Sequence, residues 1–221
     1  MNLLVIAKQP LPGLVKTRLC PPCTSHEAAR IARGSLADTL RAVAATPARR
    51  RVLVLDGEPG SWKPPGFEVV SQRGEGLDER LAAAFAHVGG PSLLVGMDTP
   101  QLTPSLLTLA LDRLAAPGVD AVLGGARDGG WWGIGLHRPD DVVFLGVPMS
   151  TDRTGEAQRT RLDELGLRSE MLPQLRDVDR FDDALAVAAD VPGSLFARAV
   201  DRVEARRAAQ VAAGSSTEAV A

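Results

Sequence analysis

The sequence has few residues that could bind a structural metal or crosslink the chain. Its 221 residues include two cysteines and three histidines. One cysteine pair cannot complete a four-ligand zinc site, and His26, His87 and His137 are too widely scattered to show ligand spacing. A chain of this length buries roughly 70% of the surface that its unfolded form exposes, so we expect it to fold without disulfides or a structural metal.

The two cysteines form the run Cys20-Pro21-Pro22-Cys23 ahead of a predicted helix. A C-x-x-C pair in this place is typical of thioredoxin-like redox sites, in which the helix N-terminus lowers the pKa of a thiol. The alternative is that both are small residues in a loop near a basic segment. A single C-x-x-C is a weak signal, so both interpretations stay open.

Long apolar runs and an excess of one charge are also missing. No stretch reaches the roughly 18 apolar residues that indicate a membrane-spanning helix. The 25 Lys and Arg residues against 27 Asp and Glu residues give a net charge of -2, which excludes a broadly basic surface for nucleic acid but allows a local anion site. Residues 1–10 contain no basic segment and only a short apolar run, so we predict no signal peptide and expect a cytoplasmic location.

The sequence does contain a regular alternation of short apolar runs and longer helical segments. The predicted strands are 2–7, 51–56, 67–70, 92–97, 119–123, 131–136 and 167–172. The predicted helices are 25–45 (capped by Thr24 or Ser25), 78–88, 153–165 and 181–189, with others starting at Thr103-Pro104 and at Ser194. This alternation predicts a three-layer α/β/α fold around a mixed, mainly parallel sheet. We expect one domain over residues 1–207 and a disordered tail over residues 208–221.

Open α/β sheets bind ligands at the carboxyl ends of their strands, so polar residues directly after strands are the first candidates. The loop after the first strand is rich in Gly and Pro and carries cations into a helix start, where backbone N–H groups favour an anion. We expect it to bind phosphate, although it lacks the first glycine of a P-loop and a solvated basic turn is the alternative. Its candidate residues are Lys8, Gly13, Lys16, Thr17 and Arg18.

Acidic residues follow the later strands. Asp98 comes directly after the strongest predicted strand, where a carboxylate is costly unless it is solvated, hydrogen-bonded or bound to a metal. Mg²⁺ takes one or two protein carboxylates and completes its shell with phosphate oxygens and water. In Asp177-Val178-Asp179 two carboxylates share one side if the segment is extended, and Asp179 is the better ligand candidate because it precedes a helix. For Asp98 the alternative is a turn residue ahead of Pro100.

The run Asp128-Gly129-Gly130-Trp131-Trp132 also has two interpretations. Asp-Gly is a favoured tight-turn pair before a strand. Alternatively, the glycines let a ligand approach the backbone while Asp128 contacts it. Successive strand residues point to opposite faces, so only one tryptophan can face a cleft and stack on a base or sugar; the other is expected in the core.

Five of these segments occur in the order typical of a known family. They are residues 6–13, 16–19, 96–100, 128–132 continued by 134–136, and 177–179. Together they resemble the DUF2064 family of bacterial glycosyltransferase-A-like proteins, some of which are labelled arsenosugar-biosynthesis glycosyltransferases. The resemblance covers about residues 2–190 and implies a Rossmann-like fold of the nucleotide-diphospho-sugar transferase type. The family usually has Tyr-Tyr where this chain has two tryptophans, and Gly-Asp-Ser-Pro where it has Met97-Asp98-Thr99-Pro100. The aromatic change leaves the preference for acceptor or base open.

Related families of the same fold carry similar motifs. Lys16-Thr17-Arg18-Leu19 is similar to a Lys-Ser-Arg-Leu segment of 2-phospholactate guanylyltransferases, and Asp98-Thr99-Pro100 is similar to the Asp-x-Pro metal site of molybdenum-cofactor nucleotidyltransferases. In sugar-nucleotide synthetases, an Asp followed four residues later by another Asp supplies the second metal ligand, a spacing that Asp179 and Asp183 match. The resemblance therefore implies Mg²⁺ or Mn²⁺ at Asp98 and Asp179.

The resemblance also implies roles for the other candidates. The basic loop would hold the phosphates of a nucleotide or nucleotide-sugar. The family's Gln/Gly loop, which would lie near the base, is represented here by Gln72, Gly74 and Gly76. Apart from the resemblance, the turn itself makes Gly129, Gly130 and Trp131 candidates for contact with a small-molecule acceptor, and the predicted reaction makes Asp128 the candidate base for its hydroxyl group.

These features predict metal-dependent glycosyl transfer from a nucleoside diphosphate sugar to a small acceptor. A metal between the two phosphates would neutralise charge as the leaving group departs. The same fold and metal site also suit nucleotidyl transfer from a nucleoside triphosphate to a phosphorylated acceptor, with release of pyrophosphate. A non-catalytic nucleotide binder is a third possibility. The sequence does not predict the sugar, the base, the acceptor or the oligomeric state.

Overall fold

One sheet and the helices around it form the protein, which we describe from a computed structural model over residues 1–60 and 62–218. Within these residues the sheet has seven strands. They are β1 (Asn2–Lys8), β2 (Arg50–Asp56), β3 (Glu68–Ser71), β4 (Ser92–Gly96), β5 (Ala121–Ala126), β6 (Trp131–Leu136) and β7 (Ser169–Leu175). The helices are α1 (Ser25–Ala45), α2 (Leu77–Val88), α3 (Pro104–Ala115), α4 (Thr154–Glu164), α5 (Phe181–Asp190) and α6 (Leu195–Glu218). Short 3₁₀-helices lie at Thr17–Leu19 and Asp141–Val143.

The strands are arranged in the order β3-β2-β1-β4-β6-β5-β7. Only β6 runs antiparallel to its neighbours, β4 and β5. β5 and β6 are joined by a short turn, which requires an antiparallel pair, whereas α1, α2 and α4 supply the long crossovers that parallel strands need. The predicted mixed, mainly parallel sheet is therefore confirmed.

Helices cover both faces of this sheet. On one face, α1 and α3 pack on β-strand side chains such as Leu3 and Leu93. On the other face, α2 and α4 pack on neighbours of opposite orientation such as Leu4 and Leu94. Strands that are buried on both faces have continuous apolar sequences, which is why they could be predicted from the sequence. The predicted three-layer α/β/α arrangement is confirmed.

Side-chain caps fix where two of the helices begin. The Glu27 N–H donates to Thr24 Oγ1 (3.2 Å) and the Thr24 N–H donates to Glu27 Oε2 (2.8 Å), which forms a capping box at the start of α1. Thr24, and not Ser25, is therefore the cap. At the start of α3 the Leu106 N–H donates to Thr103 Oγ1 (3.2 Å), directly before Pro104. These helices follow β1 and β4, so they begin at the sheet edge that carries the candidate residues.

A third apolar cluster joins α5 and α6 to α1 and to two loop segments at the sheet edge. We call it the C-terminal cluster; its buried members include Leu19, Cys23, Ile31, Val178, Phe181, Phe196, Val200 and Val203. Helix α6 crosses α1 at Gly34, where a Cβ atom would lie 2.9 Å from the backbone of Phe196. A glycine is required there because the two helix backbones approach so closely.

Helix α6 continues to Glu218, through most of the segment for which the sequence favoured a disordered tail. The only large apolar residues of that segment are Val211 and Val220, but six of its residues are Ala, which has the highest helix propensity. The rest of the predicted tail, 219–221, lies outside the described residues. Among the helices of the described residues, none has the length and apolar character needed to cross a membrane.

Candidate active site

Three chain segments that are distant in sequence meet at one ammonium group. The Lys16 Nζ atom lies 3.2 Å from Asp98 Oδ1 and also donates to the carbonyl oxygen of Val178. Its side chain is only 11% exposed. The structure therefore brings together the loop after β1, the end of β4 and the segment after β7, as the sequence analysis expected for a cationic loop opposite acidic residues.

Lys16 is held in place by both its backbone and its charge. Its φ of 49° lies in the left-handed region, which a lysine seldom adopts. Burial lowers the pKa of Lys16, but the carboxylates of Asp98, Asp177 and Asp179 outweigh burial, so the pKa is raised above its ordinary value. The ammonium consequently stays protonated and presents a fixed positive charge to the cleft.

Arg18 forms a second, more exposed cation–carboxylate pair beside Lys16. Its Nη1 atom donates to Asp179 at 3.0 Å and 3.2 Å from the two carboxylate oxygens. The Arg18 side chain is 72% exposed, so the pair adds little to stability and the guanidinium can turn to an anionic ligand at low cost. The other predicted residues of this loop, Gly13 and Thr17, are also exposed, and Gly13 has a φ of 79°.

Asp177 belongs to the same group of charges, although the sequence analysis preferred Asp179. Burial raises the pKa of Asp177 to about 6; Lys16 opposes this shift, and the carboxylates of Asp98, Asp128 and Asp179 add to it. The alternation Asp-Val-Asp was the sequence signal that could have identified Asp177. Val178 is buried in the C-terminal cluster, so the aspartates on either side of it point away from that cluster. The four carboxyl groups of this site, those of Asp98, Asp128, Asp177 and Asp179, thus outnumber the cations of Lys16 and Arg18.

The donor set fits a hard divalent cation if a ligand completes the shell. Within residues 1–60 and 62–218, no three His, Cys, Asp or Glu side chains are grouped so that they could hold a metal by themselves. Asp98 and Asp179 are each 39% exposed and each uses only part of its acceptor capacity on a cation. Carboxylate oxygens suit Mg²⁺ or Mn²⁺, and two of them with phosphate oxygens and water satisfy Mg²⁺. The uncompensated negative charge supports the same conclusion.

Internal hydrogen bonds hold the loop that is predicted to lie near a base. Gln72 Nε2 donates to the Ala7 carbonyl (2.8 Å), and Arg80 donates to Gln72 Oε1 (3.3 Å) and to the Gly74 carbonyl (3.0 Å). A Cβ atom at Gly74 would lie 2.5 Å from that of Glu79, so glycine is required there. Gln72 therefore shapes the loop, which ends at Gly76, the N-cap of α2. At the neighbouring strand end the Lys8 side chain is exposed.

The Asp128-Gly129-Gly130 turn is an internal structural unit as well as a candidate site. The Gly130 N–H donates to Asp128 Oδ1 (3.0 Å), which leaves the second carboxylate oxygen free for other contacts. A Cβ atom at Gly129 would overlap the Asp152 backbone, and the Gly155 N–H donates to the Gly129 carbonyl (2.8 Å). The absence of a side chain at Gly129 thus lets the protein's own backbone, at Asp152, approach this turn closely.

A β-bulge separates the two tryptophans. Gly133 pairs with Gly124 and Trp131 pairs with Gly125, so Trp132 is the extra residue of β6. Trp132 is buried and donates from Nε1 to the Pro173 carbonyl (3.0 Å). Trp131 packs partly against the opposite face of the sheet and stays half-buried at the site edge. As predicted, one tryptophan belongs to the core; a ligand contact of Trp131 stays a prediction.

Cys23 shows no sign of redox activation. Both thiols are free, and Cys23 is buried in the C-terminal cluster. Burial, followed by Cys20 and Glu27, raises the pKa of Cys23 to about 11. The expectation that the start of α1 lowers a thiol pKa is therefore wrong for Cys23, and packing is the role that its surroundings indicate.

The fold is that of the nucleotide-diphospho-sugar transferases. A structure from Desulfovibrio desulfuricans G20, provisionally named a nucleotide-diphospho-sugar transferase, is 26% identical, has a TM-score of 0.81 and matches over 94% of this chain and 95% of that chain. A Leptospira borgpetersenii cytidylyltransferase (13% identity, TM-score 0.56, 94% of each chain) shares the fold. So does 2-C-methyl-D-erythritol 4-phosphate cytidylyltransferase from Thermus thermophilus (15% identity, TM-score 0.53, 85% of this chain and 97% of that chain).

The chain belongs to the DUF2064 family, described as uncharacterised proteins conserved in bacteria, whose sequence model matches residues 35–151. No curated protein matches the sequence significantly. The family resemblance and the fold expected from the sequence are both confirmed. The matched span contains Asp98 and the 128–130 turn but neither Lys16 nor Asp179, so the structure alone joins these two halves of the site.

Proposed function

We propose that the protein is a metal-dependent transferase that uses a nucleotide-activated donor and transfers its glycosyl group to a small acceptor. The observation that carries the proposal is the Lys16 ammonium, shared by Asp98 and the Val178 carbonyl beside the Arg18–Asp179 pair. At this edge of the sheet, one diphosphate could contact both the fixed cations and a metal ion bound by the carboxylates. The relative from Desulfovibrio desulfuricans, with its provisional transferase name, supports the same class.

The chain's own residues have distinct tasks in this reaction. A Mg²⁺ or Mn²⁺ ion at Asp98 and Asp179 would supply charge neutralisation at the diphosphate. Lys16 holds positive charge where the leaving group gains negative charge, and Arg18 exchanges its carboxylate partner for a phosphate oxygen. As the acceptor oxygen bonds to the sugar carbon, the bond from that carbon to the diphosphate breaks and the hydroxyl proton passes to Asp128. The nucleoside diphosphate then leaves.

The released product tests this proposal directly. The purified full chain is incubated with Mn²⁺, a panel of nucleoside diphosphate sugars and hydroxyl-bearing acceptors, and we expect release of a nucleoside diphosphate. Pyrophosphate released from a nucleoside triphosphate and a phosphorylated acceptor would instead establish nucleotidyl transfer. Binding without turnover of any donor would identify a nucleotide binder.

Asp98→Asn tests the metal site separately from turnover. The amide keeps the shape of the side chain but loses the charge that binds a divalent cation, so we expect the Mn²⁺-dependent rise in melting temperature with nucleotides to disappear. Asp112→Asn is the matched control, because Asp112 is an exposed aspartate on α3. An unchanged Mn²⁺-dependent shift in Asp98→Asn would remove Asp98 from the site.

A further inference from the structure

Two consecutive arginines of α6 contact both sides of the candidate site. Arg206 donates to the Pro22 carbonyl (2.9 Å) and to both carboxylate oxygens of Glu27 (2.7 Å and 3.2 Å). Arg207 places its guanidinium 5.6 Å from the centre of the Phe181 ring. Pro22 follows the cationic loop and Phe181 follows the acidic segment, so one turn of α6 is connected to each.

The space between these contacts is filled by the C-terminal cluster. Leu19, which adjoins Arg18, is fully buried there, and so is Val178, which lies between the two aspartates. Val203 of α6 packs in the same cluster. The inward-facing residues of both site segments therefore share one apolar cluster with α6, while the charged neighbours face the cleft.

The contact of Arg206 is stronger than an ordinary surface ion pair. The Glu27 side chain is 14% exposed and Arg206 is 32% exposed, and the guanidinium bonds both to the carboxylate and to a backbone carbonyl. Burial would raise the pKa of Glu27, but hydrogen bonds from Thr24 and Arg206 outweigh it and lower the pKa. Glu27 also caps α1, so Arg206 joins α6, the start of α1 and the 20–23 turn at one point.

We propose that Arg206 is a positioning residue that fixes the 20–23 turn on α6 and thereby holds Lys16 and Arg18 opposite Asp98 and Asp179. The path runs through backbone bonds: the Cys23 N–H donates to the Leu19 carbonyl (3.0 Å), and the Leu19 N–H donates to the Lys16 carbonyl (3.0 Å). The consequence for ligand binding rests on the proposed function, whereas the consequence for the loop does not.

Hydrogen exchange of the loop amides tests the mechanical part. In Arg206→Ala we expect the amides of Leu19, Cys20 and Cys23 to exchange faster while those of the central strands keep their rates. Arg202→Ala is the control, because Arg202 is an exposed arginine one turn earlier on α6. Unchanged exchange at these three amides in Arg206→Ala overturns the proposal, whatever the protein binds.

Binding of inorganic pyrophosphate with Mn²⁺ tests the functional part. By calorimetry below the melting transition, we expect Arg206→Ala to raise Kd about tenfold, Arg206→Lys to restore part of the affinity, and Arg202→Ala to change nothing. Equal Kd values for Arg206→Ala and the wild type overturn positioning. If the wild type binds no pyrophosphate, the proposed diphosphate site fails, and the exchange experiment alone decides on Arg206.

Discussion

At the scale of single residues, the candidate site consists of two cations, Lys16 and Arg18, beside a larger number of carboxylates. The sequence predicted Lys16, Arg18, Asp98 and Asp179 from their places after strands, and the structure brings all four together. It could not predict that one ammonium joins two segments, because the contact depends on tertiary structure, and a lysine gives no signal of the left-handed backbone found there. It also undervalued Asp177, whose part depends on burial and on neighbours distant in sequence.

Asp177 should make the stability of the metal-free protein depend on pH. Its folded-state pKa of about 6 lies above its ordinary value of 3.8, so its favourable contribution is complete below about pH 3.8 and is lost as pH rises through about 6. Asp177→Asn removes the buried charge, so we expect the variant to gain stability over the wild type as pH rises from 4 to 8. The gain is at most about 3 kcal/mol and is reduced by solvent screening.

Urea unfolding in the presence of a chelator, at pH 4 and at pH 8, measures this effect. Asp112→Asn serves again as the control, since an exposed aspartate should give the same small difference at both pH values. If Asp177→Asn differed from the wild type by the same amount at pH 4 and pH 8, the assigned burial of this carboxyl would be wrong.

At the scale of elements, apolar runs and caps predicted nearly every strand and helix, and the differences have local causes. β5 was predicted to end at residue 123, because Gly124 and Gly125 have low strand propensity. It continues to Ala126, since both glycines pair with β6. β7 was predicted to end before Pro173 but continues to Leu175, since an edge strand tolerates proline. The bulge at Trp132 has no sequence signal, because it depends on the partner strand.

Gly124 should be needed for that bulge. A Cβ atom there would overlap the indole ring of Trp132, whereas a Cβ atom at the adjacent Gly125 would meet nothing within 4 Å. We expect Gly124→Ala to lower the free energy of unfolding by about 1–3 kcal/mol through overpacking, and to change tryptophan fluorescence as Trp132 leaves its pocket. Gly125→Ala is the neighbouring control. Equal urea midpoints for the two variants would contradict the bulge geometry.

At the scale of the whole molecule, the candidate site is assembled from two units. The sheet edge supplies Asp98 and the 128–130 turn, whereas the C-terminal cluster carries the inward side of the 16–23 and 177–179 segments. The sequence predicted α5 and α6 as helices but not this arrangement, because packing between distant helices leaves no periodic signal of its own. If this cluster positions the two segments, the distance between cations and carboxylates should change when the packing of α6 against α1 changes.

The crossing of α6 over α1 at Gly34 should therefore control both stability and binding. Alanine in place of a mid-helix glycine normally stabilises by roughly 0.5–1 kcal/mol, but here its Cβ would lie 2.9 Å from backbone atoms of Leu195 and Phe196. We expect Gly34→Ala to lose about 1–2 kcal/mol of unfolding free energy and to weaken binding of pyrophosphate with Mn²⁺, because α6 must move and it shares an apolar cluster with both site segments. Arg33→Ala, at the exposed neighbouring position, is the control.

A Gly34→Ala protein that is more stable than the wild type would show that the crossing is looser than described. Lost stability with unchanged affinity would show that the site does not depend on the docking of α6.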